Sequence, residues 1–312
     1  MAITAAMVKE LREMTGAGMM DCKKALSQTE GNMDEAVEFL RKNGQAKAEK
    51  KASRTAAEGL CKVVLDGDQR AAVVEVNSET DFVAKNDKFQ AFVAQVADQA
   101  LASDATDIDA FLAEAWAADT SKTVNEELVS QIAVIGEKLS IRRFAKIEAA
   151  NGFVVSYTHA GGKIGVIVEA ESESKDVAAK EAVTNIAMQI AAMSPKYVDE
   201  SEISEEYIAH EKEILLAQIM NDPKESQKPE KVIQGIVTGR VKKELKEICL
   251  LDQVYVKAED GKQSVSKYLE QVSKEIGTKL SVKRFVRFET GEGIEKKEEN
   301  FAEEVAKQMA GN

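Results

Sequence analysis

The chain has 312 residues, 44% hydrophobic and 31% charged, which supplies core material for two or more domains or subdomains. Its formal net charge of −12 argues against a protein whose main business is coating nucleic-acid backbone, and no apolar run reaches the length that spans a bilayer. No secretory signal is visible, and the three scattered cysteines, Cys22, Cys61 and Cys249, lack metal-ligand spacing and read as reduced thiols of a cytoplasmic protein.

The first stretch is electrostatically distinct: Met1 to Arg54 carries ten Lys/Arg against eight Asp/Glu, so the negative excess lies elsewhere. Three short helices are expected in residues 1–45. Thr4 can cap the first, whose face is Met7, Val8, Leu11 and Met14. The second runs through Asp21 to Leu26. The third starts at Asn32, with Glu35 placed for a capping box, and is expected to stop at Gly44. So small a core suits a docking module of the ubiquitin-associated type. Residues 46–57, rich in Ala and Lys, lack an apolar face and read as a basic linker, helical or mobile.

From Glu58 strands alternate with helices. Ala71 to Val76 reads as a strand, and Phe89, Phe92, Val93, Val96, Ala97, Ala100 and Leu101 line one face of a helix capped by Asn86. Between them lies the polar turn Asn77–Lys85 with a single aromatic, Phe82, beside Asp81. Two readings stay open for Phe82. It folds back onto the core beneath the helix start, or it is displayed as an apolar tip for a partner.

The chain also repeats itself. Ala72-Val73-Val74-Glu75 returns as Val166-Ile167-Val168-Glu169, and Gly136-Glu137-Lys138-Leu139-Ser140-Ile141-Arg142-Arg143-Phe144 as Gly277-Thr278-Lys279-Leu280-Ser281-Val282-Lys283-Arg284-Phe285. An α+β fold with a duplicated core and small antiparallel sheets follows. Its first copy spans 58–150; its second spans 151–198 and 249–293. Matched without a gap, the second copy places Asp176 opposite Phe82.

The second copy is longer, and residues 199–248 fill the difference. There Ile208, Ile214, Leu215 and Ile219 can face Val232, Ile233, Ile236, Val237 and Val241 across an antiparallel helical hairpin, a coiled-coil arm about 25 Å long at 1.5 Å per residue. Residues 294–312, with Phe301, Val305 and Met309 at helical spacing, read as a terminal helix.

The residues that usually carry chemistry are scarce. Only His159 and His210 are present, and no phosphate-binding G-x-x-x-x-G-K-[ST], H-E-x-x-H or C-x-x-C pattern occurs. The residue types disfavour an enzyme and imply no cofactor or metal. His159 falls in a hairpin turn and His210 on the arm, where both are expected to be solvated; Gly136 serves a turn, and Trp116 is expected to be buried.

Taken together, Leu11–Leu26, Glu75–Lys85, Ile135-Gly136-Glu137, Tyr157-Thr158-His159 and Gly291–Glu295 resemble, in order, the signatures of the bacterial translation elongation factor Ts family. The resemblance implies a guanine-nucleotide exchange factor for elongation factor Tu. It implies that Thr80, Asp81, Phe82 and Val83 enter the partner near its Mg²⁺ site, and that Met20, Lys23, Ile135, Gly136 and His159 touch the partner. The terminal helix would dock there as well. Direct binding of nucleotide, nucleic acid or membrane is not expected. A non-catalytic scaffold or chaperone-like binding module, and an enzyme hidden in the duplicated core, are the rival functions.

Overall fold

The computed structural model describes residues 3–295, so the expected helix with Phe301, Val305 and Met309 lies outside the described residues. Among the described residues the fold is α+β, with eleven α-helices and small antiparallel sheets.

The N-terminal helices are α1 (Ala5–Thr15), α2 (Met19–Gln28) and α3 (Met33–Lys51). Thr4 accepts the Met7 N–H at the start of α1, and Gly16 ends it at φ 67°, a left-handed conformation that costs glycine little. Asn32 caps α3 by accepting the Glu35 N–H, while its amide donates to the Glu35 carboxylate. Leu11, Cys22, Ala25, Leu26 and Ala36 close a small core. The helix α3 does not stop at Gly44 but runs on to Lys51. Gly44 is buried against the side chains of Val129 and Ala133, and this tertiary contact outweighs the roughly 1 kcal/mol cost of a mid-helix glycine.

The chain continues through β1 (Glu58–Asp66), β2 (Arg70–Ser78), α4 (Asp81–Ala84), α5 (Asp87–Ala102), α6 (Ile108–Ala113), β3 (Ala115–Trp116), β4 (Asp119–Thr123), α7 (Val124–Ile135) and β5 (Ser140–Glu148). There follow β6 (Phe153–His159), β7 (Ile164–Glu171), α8 (Val177–Met193), α9 (Glu205–Asn221), α10 (Glu230–Ile248), α11 (Val265–Ile276) and β8 (Ser281–Glu289). The sheets have the orders β1-β2-β5, β3-β4 and β6-β7-β8.

Two compact units divide these residues. One holds the residues up to Lys62, Val74–Phe144 and the described residues from Phe288; the other holds Val63–Val73 and Ala145–Arg287. In the first, α5 buries Phe89, Phe92, Val93, Val96, Ala97 and Ala100, and Trp116 is buried 6.0 Å from the Phe92 ring. In the second, Phe153, Val166 and Val168 pack against Ala182, Val183, Ile186 and Ile190 of α8 and Leu269 of α11. The helices α9 and α10 bury Ile219, Ile233, Val237, Val241 and Leu245 between them. Ile214 and Val232, expected in that seam, are instead exposed, because α9 and α10 turn them outward.

The internal repeat reappears as repeated contacts. Glu75 on β2 is fully buried and paired with Arg142 and Arg143 of β5; Glu169 on β7 is fully buried and paired with Lys283 and Arg284 of β8. The buried amide of Gln99 clamps the backbone of Ala115 and Ala117, and that of Gln189 clamps Val254 and Val256. Gly136 and Gly277 end α7 and α11 in the left-handed conformation.

Besides the inserted arm, the copies differ at one short connection. Strand residue Glu75 maps onto Glu169, 94 positions on, whereas Phe89, Phe92, Val96 and Gln99 map onto Ala179, Ala182, Ile186 and Gln189, only 90 positions on. The first copy therefore holds four extra residues between strand and helix, and the four-residue helix α4 stands there. This corrects the gapless match of Phe82 to Asp176. Asp176 is the N-cap of α8, and its counterpart is Asn86, the N-cap of α5.

Candidate functional site

The inserted turn is built from short-range hydrogen bonds and one longer clasp. Thr80 takes an extended conformation, and its hydroxyl oxygen accepts the Val83 N–H at 3.3 Å, which starts α4. The same hydroxyl donates to Glu137 Oε1 at 2.6 Å. Glu137 Oε2 accepts the backbone N–H groups of Glu79 and Thr80 at 3.1 and 3.0 Å. The exchange is reciprocal, since the Glu79 carboxylate accepts the Lys138 N–H. Charge-assisted bonds of this kind are about twice as strong as neutral ones.

Further ties reach the end of α3. Arg54 pairs with Glu79 at 3.3 Å, and the Lys138 ammonium donates to the carbonyls of Ala52 and Arg54, both at 2.7 Å. Lys51 donates to the Gly136 carbonyl.

Held in this way, the turn presents Phe82 to solvent at 81% exposure. This decides between the two readings of that residue: it is a tip and not a core side chain. Beneath it Ala84 is buried, so the turn is anchored through its small residue. Asp81 lies beside the tip, about half-exposed, and pairs with Lys85 at 2.7 Å; an exposed i,i+4 pair of this sort contributes only ~0.3–0.5 kcal/mol. Val83 is half-buried.

The sheet below is stiffened by Glu75. Burial pushes its carboxyl up, but the Gly291 N–H, the Asn77 amide and Arg143 outweigh burial and hold it below the usual carboxylate range. The Gly291 N–H donates to Glu75 at 2.8 Å, and Arg143 also reaches Glu292. Gly291 has φ 74°, and a Cβ there would lie 2.1 Å from the Ala57 carbonyl oxygen, so only glycine fits.

The other expected contact residues fall in three places. Ile135, half-buried, and Gly136, exposed, end α7 directly before Glu137, so they adjoin the Phe82 turn through the clasp. Met20 and Lys23 are exposed on α2, where Met19 is exposed too, as is Met14 on α1. His159 belongs to the second unit, at the end of β6; it is exposed, with Nδ1 3.0 Å from the Tyr157 hydroxyl. Sequence reading missed Glu137 and Glu79 as partners of the turn. Their signal was present in the quoted motifs, but no spacing rule joins residues 58 positions apart.

The turn thus holds an exposed aromatic on a braced backbone. The family model described as "Elongation factor TS" matches residues 79–292. The chain is 53% identical over 308 residues to "Elongation factor Ts" of Clostridioides difficile (strain 630), covering 98% of this chain and 99% of that protein. It is 51% identical to the protein of that name from Clostridium novyi (strain NT), over the same shares. The corresponding protein of Trichlorobacter lovleyi is 49% identical over 311 residues, 98% of each chain.

The chain belongs to the elongation factor Ts family.

The matched segment opens at Glu79, on the braced turn itself, and closes at Glu292, the residue that Arg143 holds. The exposed Phe82 and the clasp of Glu79, Thr80, Glu137 and Lys138 thus fall within the family match, while Glu75 lies just before it. No helix among the described residues is long and apolar enough to cross a membrane.

Proposed function

We propose that this chain is a guanine-nucleotide exchange factor for elongation factor Tu in translation elongation. It works by binding, without covalent chemistry, cofactor or nucleotide of its own, and it acts in the cytoplasm. The observation that carries the reading is Phe82, 81% exposed at the apex of a braced turn in a member of this family. An exposed aromatic on a preorganised turn meets a partner without the entropic cost of ordering the loop.

In this reading the Thr80–Val83 turn enters the GTPase beside its Mg²⁺ and phosphates. GTPases hold nucleotide phosphates through backbone N–H groups, a lysine and the metal. Inserting an apolar ring there, with Asp81 alongside, disturbs the groups that hold the metal and lowers the affinity for GDP. Met20 and Lys23 of the N-terminal module, Ile135 and Gly136 at the foot of the turn, and His159 supply the remaining contacts. Residues 1–45 serve as a docking module of the ubiquitin-associated type, and the hairpin of 199–248 as a coiled-coil interaction arm. By linkage, whatever weakens GDP binding is equally weakened by nucleotide, so GTP expels the factor and it recycles.

Stopped-flow release of a fluorescent GDP from elongation factor Tu tests this. The wild-type chain is expected to accelerate release, and Phe82→Ala to lose most of that acceleration while still folding. Unchanged release with wild type sinks the exchange reading, and binding without acceleration favours a plain scaffold.

A further inference from the structure

The duplicated core contains its own control for deciding what braces the exposed turn. In the second copy no four-residue insertion separates strand from helix, and the backbone there is satisfied locally. Ser172 Oγ accepts the Ser174 N–H, Ser174 Oγ accepts the Asp176 N–H, and Asp176 caps α8. Glu137 has no acidic counterpart either, because the matching residue is Thr278. A hydroxyl at that place could not offer two carboxylate oxygens to two backbone donors and a third hydroxyl. The scaffold shared by the copies therefore does not require Glu137. It accompanies the insertion.

We propose that Glu137 is the positioning residue of the exchange reaction, fixing the Thr80–Val83 turn so that Phe82 is presented in one orientation. The proposal rests on the exchange reading above. Oε2 collects the N–H groups of Glu79 and Thr80, and Oε1 takes the Thr80 hydroxyl proton. That last bond also orients the Thr80 oxygen lone pairs toward the Val83 N–H, so one carboxylate sets both the entry to α4 and its cap. Glu137 directly follows the left-handed Gly136 that ends the twelve-residue helix α7, and β5 begins at Ser140. The brace thus sits in a short connection between a helix and a strand, which fix its two ends. The Glu79 carboxylate closes the clasp from the other side on the Lys138 N–H. Removing Glu137 leaves the fold but frees the turn, so the aromatic must be ordered at the moment of insertion. That cost falls on the step in which nucleotide is displaced, not on the initial encounter.

The test titrates elongation factor Tu loaded with a fluorescent GDP against full-length wild-type, Glu137→Ala, Glu137→Gln and Thr278→Ala proteins. Hydrogen exchange of the Glu79 and Thr80 amides in the free proteins is read alongside. For Glu137→Ala the expected result is a saturating release rate at least about tenfold lower, a half-saturating concentration within about threefold of wild type, and faster exchange of both amides. Glu137→Gln regains much of the loss, because its amide oxygen accepts the backbone N–H groups and its NH₂ can donate to the Thr80 oxygen. Thr278→Ala stays within about twofold of wild type. If Glu137→Ala does not fold, Glu137→Asp carries the same expectation, since it keeps the charge but shortens the reach. A saturating rate equal to wild type in the folded Glu137 variant overturns this proposal alone. A wild type that does not accelerate release overturns the exchange reading and this proposal together.

Discussion

Glu75 and Glu169 stand at the same point of two similar frames, each fully buried beneath a pair of cations from a neighbouring strand. Yet only the frame around Glu75 displays an aromatic. At the connection between strand and helix, what separates them is four residues and one carboxylate on the facing turn. Lengthening a surface connection by a few residues costs only a few tenths of a kcal/mol in closure entropy. A duplicated frame can therefore keep its core contacts while one copy gains a projecting turn. The lesson concerns where novelty sits: the buried glutamate, the clamping glutamine and the helix-ending glycine recur in both copies, while the additions lie in connections, where the backbone can change without repacking the interior.

The sharpest way to break this comparison is to truncate the apolar residue displayed at each connection. Phe82→Ala is expected to cost on the order of 2–4 kcal/mol of transition-state stabilisation, about 30- to 1,000-fold in stimulated GDP release. Val177, 80% exposed at the start of α8 in the second copy, is its control, and Val177→Ala is expected to change release less than about twofold. Equal losses in stopped-flow measurements would show that both connections meet the partner.

The next largest effect concerns the frames themselves. Glu75→Gln should destabilise by about 2–4 kcal/mol, because it leaves buried donors and half-exposed guanidinium groups without their charge partner. Glu169→Gln should cost about 1 kcal/mol less, since Glu75 also accepts the Gly291 N–H and the Asn77 amide. Denaturant midpoints of the two variants decide the order, and the reverse order would mean that the Gly291 contact contributes nothing.

The same carboxylate sets a pH signature. Its folded-state pKa lies below the ordinary value of 4.5, so its contribution is fully present above that value and is lost as pH falls through the lower folded value. Acid titration of stability from pH 6 downward should therefore be shallower in Glu75→Gln than in wild type below about pH 4.5. Parallel curves would remove Glu75 as the cause.

The smallest effect is expected at the cap. Thr80→Ala removes the acceptor of the Val83 N–H, worth ~1 kcal/mol at a helix start. It should raise hydrogen exchange at Val83 while leaving the α5 amides unchanged. Faster exchange along α5 as well would mean that the turn and the helix open as one unit.

The periodic parts of this chain were legible before any coordinates. The apolar face of α5, its Asn86 cap, the Thr4 cap and the turn at Gly16 follow from spacing and from side chains that bond within three or four residues. Repeated sequence also announced the duplicated core. Three features were not legible. Gly44 read as a helix stop because local propensity says so, and a tertiary contact with α7 overrode it. Ile214 and Val232 read as seam residues, because two helices in contact leave some apolar side chains outside whichever register they choose. The gapless repeat hid the four-residue insertion, since the strand motif and the helix face are each recognisable but nothing local fixes the distance between them.

What the sequence determined by itself is the inventory: an α+β chain with a repeated frame, an inserted helical arm, and one aromatic set among polar residues. Those properties depend on residues close together along the chain. Whether Phe82 points inward or outward was decided only by the tertiary structure. Its exposure depends on where α4 stands over β2 and α5 and on a carboxylate 57 positions beyond Thr80 that collects that residue's backbone N–H and hydroxyl. Contacts of that separation leave no periodic trace in a sequence, because they are set by how separate elements of one frame pack and not by the spacing of residues within any of them.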